Sequence, residues 1–154
     1  MKTNSKKNFK KAIHAARALN EPIEYQKSFS RGIRVEMGEY SMLFISGTAS
    51  VDEKGRTKYP GDLRAQSKRT FSNIAALLAS EGATWQDVVQ TRCYLKDMGS
   101  YSLFNEYRNY FYQQQKLVPF PASVCVQAGL CRPELLVEIE AVAVIKNPLK
   151  KNKK

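Results

Sequence analysis

The chain has 154 residues, 43% of them hydrophobic and 25% charged, which fits one globular domain and leaves little room for two. No apolar run approaches the ~20 residues of a membrane-spanning helix, so we expect a cytoplasmic protein that is not an integral membrane protein. Three cysteines and one histidine, His14 in a highly polar segment, argue against a disulfide framework, a Cys/His zinc site and a histidine-based catalytic triad. We expect no metal and no cofactor.

The net charge of +11 is concentrated at the two ends of the chain. Residues 1–34 carry nine Lys/Arg and two Asp/Glu, residues 35–145 carry eleven and twelve, and residues 146–154 carry five and none. A nucleic-acid-binding domain usually concentrates its basic residues on the folded face that meets phosphate. We therefore interpret the ends as solubilising or loosely electrostatic tails, so that any contact with nucleic acid would be made through these tails only.

The N-terminal region, residues 1–28, is interpreted as a basic extension of the domain. Its first five residues are polar and without apolar periodicity, and we expect them to be disordered, as we do residues 147–154. Residues 6–19 place apolar side chains at helical spacing with lysines opposite, which predicts an amphipathic helix.

The domain itself, residues 29–146, predicts strands and helices in the order ββαβαββ. The strands span 29–37, 40–46, 88–95, 123–128 and 135–145, and the helices span 63–81 and 100–115. Asp62 is placed to cap the first helix, and Gly82 to end it. This pattern predicts an α+β fold with one mixed sheet, two helices on one face and the N-terminal helix added.

The last predicted strand is apolar on both faces. Val137, Ile139 and Ala141 alternate with Val142 and Val144 and their neighbours, and a strand that is apolar on both sides is covered on both sides. One chain of this length does not supply the second cover, so the pattern predicts a homo-oligomer that buries sheet faces.

Two acids interrupt this apolar strand. Glu138 and Glu140 are two residues apart, so both side chains point to the same face. Burial of a carboxylate raises its pKa toward the range of a general acid or base, whereas a rim position would leave it a solvated charge. The residues alone leave both interpretations open.

Several stretches together resemble the RidA/YjgF family, long labelled L-PSP endoribonucleases. They are FISGTASVDEKGRT, the run GDLRAQSKRTFSNIAALLASEGATWQDVVQTRCYLKDMGSYSLFNEYRNYF, PFPASVCVQAGL and VEIEAVAVI, which span about residues 29–145. The resemblance implies a chorismate-mutase-like fold and a homotrimer, with three small-molecule clefts between subunits. It also implies hydrolysis of 2-imino acids to 2-keto acids and ammonia.

The resemblance also implies site residues. Glu138 matches the family glutamate that handles water or a proton. The cleft positions match Ser46, Gly47, Asn105 and Cys125, and Phe29 stands where the family has a tyrosine. Thr48 is a candidate on other grounds: with Ser46 and Gly47 it follows a strand and opens a loop, where hydroxyls and backbone N–H groups can face a ligand.

The family's Pro-Ala-Arg, whose arginine binds the substrate carboxylate, reads Pro121-Ala122-Ser123 here. A serine hydroxyl does not replace a bidentate guanidinium, so we expect weak deamination of ordinary 2-imino acids unless another cation enters the cleft. The candidate cations are Arg31, Arg92 and Arg132. An ion pair of Arg92 with Glu138 or Glu140 is an equally good interpretation of that residue.

Three functions remain open at this point. The first is an enzyme of the imine or enamine deaminase type, a hydrolase that acts on a small carboxylate metabolite. The second is a regulatory protein that binds such a metabolite without chemistry. The third, suggested by the old family label, is an RNA-binding protein or endoribonuclease, which would depend on the basic tails.

Overall fold

The protein is described by a computed structural model over residues 9–22 and 26–148, which form one six-stranded mixed sheet and two α-helices. The strands are β1 (Lys10–Ala12), β2 (Gly32–Met37), β3 (Tyr40–Ala49), β4 (Val88–Leu95), β5 (Ala122–Gln127) and β6 (Val137–Lys146), and the helices are α1 (Leu63–Ala79) and α2 (Tyr101–Gln114). The sheet order is β1-β2-β3-β6-β4-β5, antiparallel except between β4 and β5. The predicted α+β class is confirmed.

The predicted N-terminal helix is wrong over its described part. Lys10–Ala12 form a strand that pairs antiparallel with β2, and the N–H of Ile13 donates to the carbonyl of Gly32 at 2.8 Å. Pairing covers the open edge of β2, which a short isolated helix would leave exposed. Phe9 is 62% exposed whereas Ile13 and Leu19 are fully buried. The apolar residues at helical spacing therefore do not form one buried surface in this fold. The sheet thus begins before the predicted boundary at residue 29.

The C-terminal boundary also differs from the prediction. Asn147, expected in a disordered tail, donates from Nδ2 to the carbonyls of Gly38 and Tyr40 at 2.8 and 2.9 Å. These bonds tie the end of β6 to the turn between β2 and β3. The other parts of the predicted tails, residues 1–8 and 149–154, lie outside the described residues.

Both helices cover the same face of the sheet. Asp62 accepts a hydrogen bond from the N–H of Ala65 at 2.9 Å and begins α1, and Gly82 follows the helix at a φ of +74°. Phe71 of α1 stacks on Phe111 of α2 with ring centroids 4.5 Å apart. No helix of the described residues is long and apolar enough to cross a membrane.

The other face of the sheet is partly apolar and is not covered by any described element. It carries Phe44, Val124 and Val126, which are 41–47% exposed, and the half-buried Val142 and Val144. The strand registers place Phe44 beside Val142, and Val124 and Val126 beside Arg92 and Tyr94 of β4. The expected apolar character of β6 on both faces is therefore present, and its second face is open in the single chain.

Candidate functional site

A cleft of about 630 Å³ opens beside the N-terminal end of β6. We call it the Glu138 cleft. Its lining residues are Lys27, Phe29, Arg31, Ser46, Gly47, Ala49, Val51, Cys131, Arg132, Leu135 and Glu138. Five of the family positions and candidate cations named from the sequence are among them: Phe29, Arg31, Ser46, Gly47 and Arg132, together with Glu138 itself.

An irregularity in β3 creates room for Glu138. The pairing of β3 with β6 shifts register between Ile45 and Thr48, so Ser46 and Gly47 lie in a bulge. A Cβ atom on Gly47 would overlap Oε1 of Glu138, so the missing side chain is what allows the carboxyl group to lie there. The bulge also turns Thr48 into the core, where it is 1% exposed. Thr48 therefore does not line the cleft, contrary to its assignment as a binding residue.

The Glu138 carboxyl group is half-buried and unpaired. Within residues 9–22 and 26–148, no group donates a hydrogen bond to it and no cation forms an ion pair with it. Burial raises the pKa of Glu138 above its usual value, and the charge of nearby Glu140 raises it further. A raised pKa makes a carboxyl group a stronger base than an exposed glutamate, which favours a role in proton transfer.

Glu140 has different neighbours. It accepts hydrogen bonds from Arg92 Nη1 and from the Tyr94 hydroxyl, both at 3.2 Å. Burial raises the pKa of Tyr94, and the Glu140 carboxylate raises it further. Of the two interpretations of Arg92, the ion pair with Glu140 is the one observed, and Arg92 does not line the Glu138 cleft.

The two arginines of the Glu138 cleft donate hydrogen bonds to carbonyl and amide oxygens. Arg31 is 6% exposed and donates to the carbonyl and to Oδ1 of Asn20, both at 2.9 Å. Its guanidinium also lies 5.6 Å from the centre of the Phe29 ring. Arg132 donates to the carbonyl of Gly55 at 2.6 Å. These bonds fix the orientation of both guanidinium groups, which line the cleft.

A second polar group, on the opposite face of the sheet, holds the remaining predicted residues. Arg108 of α2 donates from Nη2 to Asn105 Oδ1 at 2.6 Å and from Nη1 to Ser123 Oγ at 3.2 Å. We call Asn105, Arg108 and Ser123 the Arg108 cluster. Cys125 lies two residues along β5 from Ser123, and burial raises the pKa of its thiol.

The strand registers separate Ser123 from Glu138. Ser123 aligns with Thr91 and, through it, with Ala141, which is 1% exposed beneath the helices. Glu138 aligns with Tyr94 on the open face. Glu138 and Ser123, the two positions to which the resemblance assigns one substrate, therefore point to opposite faces within a single chain, so one chain does not bring them together.

Sequence analysis missed Arg108 and Lys27. Arg108 follows Asn105 by three residues on α2, which places both side chains on one helix face, and this spacing was the available signal. No sequence signal indicated Lys27, because it lies in a segment without apolar periodicity. No cluster of metal-ligating side chains occurs within residues 9–22 and 26–148.

The fold of this chain is that of a class of small α+β proteins with solved structures. The YjgF gene product of Escherichia coli superposes with a TM-score of 0.72 at 27% identity, covering 87% of this chain and 98% of that one. E. coli TdcF, solved with bound serine, gives 0.73 at 25% identity, covering 88% and 99%.

Sequence comparison identifies the family. The 3-aminoacrylate deaminase RutC of Acinetobacter baylyi is 32% identical over 104 residues, which cover 67% of this chain and 79% of that protein. The family model described as Endoribonuclease L-PSP matches residues 20–145. The chain belongs to this family, the RidA/YjgF family, as its motifs predicted.

Proposed function

We propose that this protein is a hydrolase that deaminates a small imine or enamine carrying a carboxylate, and that Glu138 handles the water and the proton. The observation that carries the proposal is the Glu138 carboxyl group, half-buried and without a partner among the described residues, in a cleft of about 630 Å³. Two similarities support it: one relative is named a 3-aminoacrylate deaminase, and TdcF was solved with serine, a small carboxylate.

The chemistry needs one acid–base group at the reacting carbon. The Glu138 carboxylate accepts a proton from water as the water oxygen attacks the imine carbon. The protonated carboxyl group then returns that proton to the nitrogen, which gives a carbinolamine. A second relay through Glu138 moves the hydroxyl proton to the nitrogen, the carbon–oxygen double bond forms as the carbon–nitrogen bond breaks, and ammonia and a keto acid leave. An enamine substrate first takes a proton on carbon and releases one from nitrogen to become the imine. Burial supports both steps because it brings the pKa of Glu138 closer to neutral.

The proposal includes a homotrimer with clefts between subunits. The open apolar face with Phe44, Val124 and Val126 needs a cover, and a second copy of the chain has the matching surface. The opposite placement of Ser123 and Glu138 supports the same assembly, since a neighbouring subunit would supply one half of each site. Light scattering is expected to give about three times the chain mass of 17.5 kDa.

The test is turnover of a freshly generated 2-imino acid or 3-aminoacrylate, followed through the release of ammonia. We expect Glu138→Gln to lower kcat by about 10²–10⁴-fold, the usual contribution of a general acid–base group. Glu140→Gln is the matched control, because this acid lies on the same strand and face but is paired outside the cleft. Equal losses in both variants, or full activity of Glu138→Gln, would contradict the proposal.

A further inference from the structure

The guanidinium of Arg108 is fixed in place by neutral partners only. Asn105 and Ser123 each accept one of its hydrogen bonds, and the Phe104 ring centre lies 5.4 Å from its central carbon. In the part of the chain that the structure describes, no carboxylate lies within ion-pair distance of Arg108. By contrast, Arg34, Arg56, Arg64 and Arg92 each pair with an acid.

Arg108 still has hydrogen-bond donors to offer. A guanidinium carries five N–H groups. Asn105 and Ser123 take two of them and the neighbouring Cys93 thiol a third, which leaves two for an anion. The side chain is neither buried nor fully exposed. A half-buried cation that is oriented by neutral acceptors and lacks a counter-ion is a preorganised anion site.

Ser123 adds a further donor on the same side. Its oxygen accepts from Thr91 Oγ1 at 3.0 Å and from Arg108, and its own proton faces only the weakly accepting Cys93 sulfur, so a carboxylate oxygen would compete for it. The Tyr112 hydroxyl lies 3.4 Å behind Thr91 Oγ1 and is buried, and burial raises the pKa of Tyr112 to about 12. The buried hydroxyls therefore remain neutral and fix the orientation of Ser123.

We propose that Arg108 is the residue that binds the substrate carboxylate, with Ser123 holding its guanidinium in position and donating one additional hydrogen bond. This inference rests on the proposed function, because it concerns the substrate of the same cleft. It assigns a helix arginine to the task that the family resemblance gives to an arginine at position 123. It also removes the reason to expect poor turnover of 2-imino acids, since the cation is present but comes from α2.

The experiment measures binding and turnover separately. Binding is measured by calorimetry with 2-oxobutanoate, a stable carboxylate of the product type, and turnover with the matching 2-imino acid. We expect R108M to weaken 2-oxobutanoate binding and to raise KM at least about 30-fold, because a charge-assisted pair is lost, with a smaller change in kcat. We expect R108M/S123R, which returns a guanidinium from β5, to recover most of that loss.

Arg64→Met is the matched control. It removes an arginine that pairs with Glu106 on the exposed surface of the helices, and its binding and turnover are expected to stay within about twofold of wild type. Should R108M fail to fold, R108K replaces it: the lysine keeps the charge but loses the planar fork. Weakened binding by a folded R108K then supports the proposal, and unchanged binding overturns it.

The outcomes separate this inference from the proposed function. Wild-type turnover together with unchanged binding by R108M overturns the role of Arg108 and leaves the hydrolase intact. Wild-type binding that depends on Arg108, without turnover of any imine or enamine, supports the anion site and overturns the hydrolase. A wild-type protein that neither binds 2-oxobutanoate nor turns over the imine overturns both.

Discussion

Glu138 and Glu140 are two residues apart on one face of one strand, yet their surroundings differ. Glu140 forms an ion pair with Arg92 and accepts a hydrogen bond from the Tyr94 hydroxyl. Glu138 faces a β-bulge at Gly47 and has no partner among the described residues. Residue spacing sets the face to which a side chain points, but the neighbouring strand decides whether the charge is neutralised or left available for chemistry.

Among substitutions that change the surroundings of either acid, Gly47→Ala is expected to have the largest effect on activity. The new Cβ overlaps Oε1 of Glu138, and the flexible carboxyl end is the part that moves. We expect kcat/KM to fall about 10²-fold through misplacement of the carboxyl group, with little change in thermal stability. In a Glu138→Gln background the same substitution should cost no further activity. An additive loss in the double variant would show that Gly47 acts independently of Glu138.

A second prediction concerns the pH dependence of stability. The pKa of Glu138 is raised in the folded protein above its usual 4.5, so the folded state loses stability as the pH rises from about 4.5 through the raised pKa. Glu138→Gln removes this loss. We therefore expect the variant to be more stable than wild type at pH 7 and equal to it near pH 4, as measured by urea unfolding at both pH values. A variant that is less stable at pH 7 would contradict the assigned cause.

The smallest effect is expected from Glu140→Gln. Its ion pair with Arg92 is partly exposed on both sides, and such pairs contribute about 0–1 kcal/mol. Removing the Glu140 charge takes away the second cause of the raised pKa of Glu138. The pH–rate profile should therefore shift toward lower pH while the maximal rate stays close to that of wild type. A shift toward higher pH would contradict this prediction, and it would mean that the unpaired Arg92 does not favour the charged form of Glu138.

The body of the fold was predictable because its signals are local. Asp62, Gly38 and Gly82 mark ends and turns through hydrogen bonding and backbone conformation, and these do not depend on distant residues. The strand β1 was not predictable from the same rules. Its three residues form a strand because they pair with the open edge of β2, which lies more than twenty residues further along the chain.

The candidate site was predictable in its residue types and less so in its geometry. Glu138, Ser46 and Gly47 meet in the cleft as the family motifs indicated. Thr48 turns into the core because of the bulge, which no spacing rule reveals. Arg108 was missed because the search for a replacement cation considered neighbours along the strands, while the arginine that we propose lies on a helix packed above them.

The amide of Asn147 has a practical consequence for protein engineering. It fastens the chain at the hairpin turn, at the far end of β6 from Glu138. Nine residues of extended strand separate the two positions, a distance of roughly 30 Å. Pro148 directly follows Asn147 and is exposed, so it lies well away from the cleft opening and is a suitable attachment point for a fluorophore.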